Sequence, residues 1–197
     1  GELGAPFNDI DNDGIYTNGI DEPNFIGDEV LFYVANDLDS ITFALTYGSP
    51  PIGLEFQTTV WGFDTDNFLK DTAFKKYKVI NKSENTIEEM YFSYWTDDDL
   101  GFAGDDFVGC DTVLNLGYTY NGDNDDEDFY GENPPALGHI LLQGPKIYIG
   151  QIDSSKLNNR FLPEIDYLPI SAFSLFIGTA GTIFQDAELG TPLGSIE

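Results

Sequence analysis

The chain has 197 residues, with 35 Asp and Glu against 8 Lys and Arg and a formal net charge of −27. This excludes a surface built for nucleic-acid phosphates or anionic lipid, since both need a basic footprint. Hydrophobic residues at 41% and aromatics at 15% are too many for a disordered chain, the one cysteine (Cys110) excludes a disulfide framework or a cysteine-based zinc cluster, and no apolar run approaches the ~20 residues that span a bilayer.

Residues 1–27 read as an acidic lead-in. Gly1–Ala5 lacks the basic and apolar parts of a signal peptide, as expected of a mature chain or an excised fragment. Asp9-Ile10-Asp11-Asn12-Asp13-Gly14-Ile15 matches the front half of an EF-hand-type calcium loop. Carboxylates at positions 1, 3 and 5 point at one centre, and Gly at position 6 allows the turn that brings in the carbonyl of position 7. The expected ligands are therefore Asp9, Asp11, Asp13 and the Ile15 carbonyl. Position 12, where a bidentate Glu belongs, is Ile20, so the closing carboxylate falls to Asp21 or Glu22.

Beyond this loop, runs of β-branched and aromatic residues recur between Gly, Pro, Asn and Asp breaks, with little helical periodicity. Expected strands are Glu29–Val34, Ser40–Tyr47, Leu54–Phe63, Phe74–Asn81, Thr86–Trp95, Thr112–Tyr120, His139–Gln143, Ile147–Ile152 and Ile170–Ile177. Ser49-Pro50-Pro51 and Asn133-Pro134-Pro135 are expected turns. Eight or nine short strands point to an all-β fold, sandwich or jelly-roll-like, in a single domain over 1–197. Its strand core is placed at 28–177 and a C-terminal extension at 178–197.

The acid is clumped. Residues 83–145 hold fifteen carboxylates and no Lys or Arg, and Asp outnumbers Glu by 23 to 12. Adaptation to salt would disperse acid evenly, whereas short unpaired carboxylates gathered on loops repel unless a cation neutralises them. In the second cluster Asp97, Asp99 and Asp105 or Asp106, with Asp111 close behind, are candidate ligands; in the third, Asn121, Asp123 and Asp125 alternate in the same way. Hard oxygen donors without His or Cys favour calcium, one to three ions in all.

Catalytic constellations are lacking. His139, the single histidine, lies on an expected core-entering strand and reads as structural. Cys110 sits among carboxylates that raise a thiol pKa, and reads as a buried small residue. No Asp-Thr pair continues into Asp-Thr-Gly, and no pair of carboxylates stands out for glycoside hydrolysis. Trp61, Trp95, Tyr118, Tyr120 and Tyr130 suit packing, with a sugar-stacking platform as the alternative.

From Phe74-Lys75-Lys76-Tyr77-Lys78-Val79 through Trp95-Thr96-Asp97-Asp98-Asp99-Leu100-Gly101, Gly104-Asp105-Asp106-Phe107-Val108-Gly109-Cys110-Asp111-Thr112 and Leu116-Gly117-Tyr118-Thr119-Tyr120-Asn121-Gly122-Asp123, the chain resembles an uncharacterised extracellular β-domain of large secreted bacterial proteins. Those proteins often end in a type IX secretion sorting domain. The resemblance runs from about Asn8 to about Phe176 and includes the acidic Asp9–Gly14 loop and the Pro134-Pro135-Ala136-Leu137-Gly138 turn. Two departures are His139, where an aromatic is usual, and the end at Glu197, where relatives continue. The resemblance implies a secreted location and no activity. It also implies O-glycosylation at Asp-Ser/Thr-apolar triplets, which here contain Ser40, Thr72 and Thr112.

The expectation is a non-enzymatic, calcium-stabilised extracellular building block, structural or adhesive, that self-associates into a surface layer or filament or meets cell-surface and glycan partners. It has no nucleic-acid partner and no membrane insertion. A carbohydrate-binding module is the alternative, and a glycosidase-type enzyme the third reading.

Overall fold

Strand-forming runs broken by Pro, Gly and Asp fold into small antiparallel sheets in the computed structural model, which describes residues 3–98, 100–102, 104–126, 129–150, 154–157 and 160–173. The fold is all-β, with one short α-helix and one 3-10 turn (Phe68–Asp71) among the described residues. The chain clusters into two compact units, Gly1–Phe92 and Ser93–Glu197.

In the first unit, β1 (Phe7–Asn8) pairs with β2 (Glu22–Pro23), closing the acidic loop between them. The main sheet is an antiparallel meander of β3 (Glu29–Asn36), β4 (Leu54–Gly62) and β5 (Phe74–Asn81). The central strand carries the buried residues Leu54, Gln57, Thr58 and Thr59. Trp61 stacks on its cross-strand partner Phe74 at 5.5 Å between ring centres, a pairing that stabilises adjacent strands. The exposed Lys75, Lys76 and Lys78 lie on β5, an edge strand of this sheet, where charge discourages a further strand from adding.

Two expected strands, one in this unit and one running past its end, are not formed. Ser40–Tyr47 is the helix α1. Its β-branched and aromatic content suggests a strand, but its ends are closed locally: Asp39 accepts from Ile41 N (3.1 Å) and Thr42 N (3.2 Å), and Gly48 takes the left-handed conformation and donates its N–H to Ala44 O. Thr86–Trp95 forms no strand, because its alternating pattern meets no neighbouring ladder among the described residues.

The second unit is built on β6 (Asp106–Asp111), β7 (Leu116–Asn121) and β10 (Ala136–Ile140), with β7 in the centre. Between β7 and β10 lie β8 (Asp125–Asp126) and β9 (Gly131–Glu132), a short pair. After β10 come β11 (Lys146–Tyr148), β12 (Ser154–Leu157), β13 (Arg160–Pro163) and β14 (Ile165–Tyr167), pairing β11 with β14 and β12 with β13. Val108, Cys110, Thr119 and Asn121 are buried on β6 and β7.

The boundaries differ from the sequence reading for a local reason. Residues 112–115 make the β6–β7 turn rather than a strand start, because Asp111 Oδ1 accepts from Val113 N and Leu114 N. The strand expected at His139–Gln143 begins three residues earlier, in register with β7. Residues 170–173 are not strand; 174–177, 151–153 and the extension 178–197 lie outside the described residues. Both Pro-Pro segments lie between elements, as expected.

Candidate functional site

The first acidic loop brings three carboxylates together. Asp9, Asp11 and Asp21 each present an oxygen within 4.8 Å of the others. Oxygens bound at about 2.4 Å to one calcium ion lie at most about 4.8 Å apart, so the trio fits a shared ion. The loop itself aims them. Asp9 accepts from Asp13 N (3.2 Å) and Gly14 N (2.9 Å), and Asp21 spans the other side, accepting from Ile10 N (2.8 Å) and Thr17 N (2.6 Å). Gly14 sits at φ 79, in the left-handed region the turn requires. Burial, followed by the charges of Asp13, Asp21 and Asp9, raises the Asp11 carboxyl above its ordinary value, and these outweigh the backbone bond from Asp13. Carboxylates held together against their repulsion are a source of affinity for a cation.

Other expected ligands of this loop lie differently. Asp13 is outside the trio and accepts from Ile15 N (2.7 Å). Ile15 is exposed and Glu22 is on β2 opposite Asn8, and of the two carboxylates expected to close the loop it is Asp21 that joins the trio.

In the second unit the carboxylates are dispersed over different partners. Asp97 is exposed and Asp99 lies outside the described residues. Asp106 Oδ2 accepts from Leu100 N (3.0 Å), and Asp111 holds the β6–β7 turn. Asp123 Oδ1 accepts from Asp125 N (2.9 Å). Asp105 and Asn121 do meet: Asn121 Nδ2 donates to Asp105 Oδ2 at 3.0 Å. Of the triplet hydroxyls, Ser40 and Thr112 are exposed, while Thr72 is half-buried and donates to Phe68 O.

Three arrangements escaped the sequence reading. Asp126 is 1% exposed and takes three backbone donors, Phe102 N, Phe129 N and Tyr130 N. A Cβ at Gly101, already at φ +100, would stand 2.2 Å from that carboxylate, so glycine is required there. Asp37 does the same in the first unit, accepting from Ile52 N, Gly53 N and Leu54 N. Burial pushes its carboxyl up, but the three donors outweigh burial and hold it below its ordinary value. Third, Asp98 Oδ2 lies 2.8 Å from His139 Nε2 and accepts from Thr119 Oγ1, while its Oδ1 accepts from Thr96 Oγ1. Burial raises the Asp98 carboxyl, and these partners together bring it below the ordinary value. The Asp37 arrangement had a local signal in the Gly53 that follows a proline turn; the other two depend on register and long-range contacts.

His139 does not serve Cys110 as a base. Cys110, Gly117 and His139 share one rung of the β6–β7–β10 sheet. That puts the two side chains two strand spacings apart, roughly 9–10 Å, against the about 3 Å of a nucleophile–base pair. The ring of Phe173 fills the space a Cβ on Gly117 would occupy. Cys110 is fully buried, and burial, with the charge of Asp111, raises its thiol above the ordinary value despite a backbone bond from Phe173. A cavity of about 260 Å³ lies beside Asn115, Leu141, Gln143 and Tyr167, with no carboxylate in its lining.

No helix among the described residues is long and apolar enough to cross a membrane. Comparison with known protein families, with curated proteins and with solved structures finds no match.

Proposed function

We propose that this protein is a non-enzymatic, calcium-stabilised extracellular building block, structural or adhesive in role. The observation that carries this reading is the convergence of Asp9, Asp11 and Asp21 on one point. The ion bound there ties the two ends of the 9–21 loop and fixes the β1–β2 pair. The separation of His139 from Cys110 leaves that pair without nucleophile–base geometry, in keeping with this reading. The resemblance to a secreted bacterial β-domain supports a location outside the cell, with O-glycosylation at exposed Ser40 and Thr112 and self-association at the surface.

Thermal melts in calcium and in EGTA test the central claim. An ion held at about 100 times its dissociation constant adds roughly 2.7 kcal/mol, so chelation lowers the midpoint by about 5–10 °C. An unchanged midpoint refutes it. Sedimentation with and without calcium tests self-association, and a strict monomer at high concentration removes that part. The exposed indole of Trp95, 69% accessible, favours a second reading as a carbohydrate-binding module. An empty glycan array counts against that.

A further inference from the structure

The dipeptide Asn-Gly stands at two places in the chain, Asn18-Gly19 and Asn121-Gly122, and the fold gives them opposite surroundings. In this pair the backbone N–H of the glycine can close a ring on the side-chain carboxamide before it, with no Cβ in the way. Asn121 ends β7 and is only 7% exposed, and its Nδ2 donates to Asp105 Oδ2 at 3.0 Å. Gly122 N donates to Asp105 O at 2.7 Å, and a Cβ on Gly122 would run into the Phe107 ring. Both partners of that pair are held and packed. Asn18 and Gly19 are exposed, at the tip of a turn in which Thr17 O accepts from Ile20 N (3.1 Å) and Asp21 N (2.9 Å). Among the described residues no hydrogen bond of ordinary geometry holds Gly19 N. Gly19 sits at φ +90, and a Cβ there would meet nothing within 4 Å. This pair is open.

We propose that Asn18 is a site of spontaneous covalent modification, converting to aspartate and isoaspartate through a succinimide with Gly19, and that the fold protects Asn121 from the same change. Hydroxide takes the proton of Gly19 N, the nitrogen bonds to Asn18 Cγ, and the bond from Cγ to the amide nitrogen breaks, releasing ammonia. Water then opens the ring at either carbonyl, leaving a carboxylate where a neutral carboxamide stood. At Asn121 the same attack requires Gly122 N to leave Asp105 O and the carboxamide to leave Asp105 Oδ2, so it waits on a local opening. The position of Asn18 gives the change a consequence. Thr17 N donates to Asp21 Oδ2 at 2.6 Å and Thr17 O accepts from Asp21 N, so the 17–21 turn seats Asp21 in the carboxylate trio. Isoaspartate carries the main chain through its side-chain carbon, which lengthens this turn by one carbon and loosens Asp21. Weaker ion binding follows, a consequence that rests on the calcium-stabilised reading; the conversion itself does not.

Ageing of the full chain in EGTA at mildly alkaline pH, with and without urea, tests the conversion, read position by position through peptide sequencing by mass spectrometry. In the folded chain Asn18 is expected to gain the mass difference between amide and acid about tenfold or more faster than Asn121, since one held amide is worth that factor in rate. In urea the two positions convert at like rates. Equal rates in the folded chain, or an Asn18 that converts only in urea, overturn the proposal. Asn18→Gln abolishes the fast conversion; a chain that still gains the mass at the original rate overturns it as well. Calcium calorimetry on fresh and aged chain separates the consequence from the reading it rests on. The aged chain is expected to bind several-fold more weakly, and equal binding overturns the loosening of Asp21. A fresh chain that binds no calcium refutes the calcium-stabilised reading, and the mass result still decides the modification.

Discussion

The Asp9–Asp21 loop and the segment around Asp126 solve opposite problems with the same side chain. In the first, Asp9, Asp11 and Asp21 face one another, and burial and the neighbouring charges raise the Asp11 carboxyl. In the second, one carboxylate faces three amides, and Asp126 is buried with its charge met by Phe102, Phe129 and Tyr130 N–H groups. Both look alike in sequence, as short acidic runs next to glycine. What separates them is the supply of backbone donors per carboxylate. Where donors suffice, Asp closes a loop on its own; where carboxylates outnumber what the loop can offer, the arrangement suits a cation.

Substitutions at the two places are expected to respond differently to calcium. The largest effect is Asp126→Ala, which strips three backbone amides of their buried acceptor and costs about 3 kcal/mol. Urea unfolding should give the same loss in calcium and in EGTA; a loss that calcium removes would place Asp126 with the cation-binding group instead. Next is Asp39→Ala at the start of α1, worth about 1 kcal/mol and likewise indifferent to calcium. Asp11→Asn is the smallest in chelator and changes sign with conditions. In EGTA it relieves repulsion and leaves stability level or slightly raised, and in calcium it forfeits the ion's contribution. A uniform loss in both buffers would mean that Asp11 acts through the backbone alone.

Acid separates the two kinds of carboxylate in another way. Asp37 and Asp98 are held below the ordinary value of 3.8, so each contributes stability that is present above that pH and lost as pH falls through its lowered folded value. Asp11 is raised, so without calcium its protonation on acidification begins above 3.8 and relieves the loop. Asp37→Asn is therefore expected to flatten the acid limb of an unfolding curve, measured in EGTA, whereas Asp11→Asn flattens its approach from neutral pH. Identical acid limbs for Asp37→Asn and the natural chain would show that the three amides do not hold that carboxyl down.

Strands with a strong alternating or aromatic run and a meander partner are legible: those expected at Glu29–Val34, Leu54–Phe63 and Phe74–Asn81 form as Glu29–Asn36, Leu54–Gly62 and Phe74–Asn81. Ser40–Tyr47 was misread because propensity spoke for a strand while the capping residues, Asp39 and Gly48, spoke for a helix, and the caps won. Thr86–Trp95 was misread because a strand needs a partner, and partners are a property of the whole fold. At the first loop, spacing picked out Asp9 and Asp11 and offered Asp21 among the closing residues. It did not foresee that Asp13 would turn to Ile15 N. The Asp98–His139 contact joins residues 41 apart and left no local trace.

The Asp126 carboxylate also bears on how the protein breathes. Phe102, Phe129 and Tyr130 lie outside every strand, where amides ordinarily exchange their hydrogens with solvent within a brief local opening. Because one buried side chain holds all three, none is released until that side chain leaves its place. Their hydrogen exchange should be slow, and matched at all three, as if these loop positions belonged to the sheet. Two stretches of chain more than twenty residues apart thus open as one cooperative piece, hinged on a single acid.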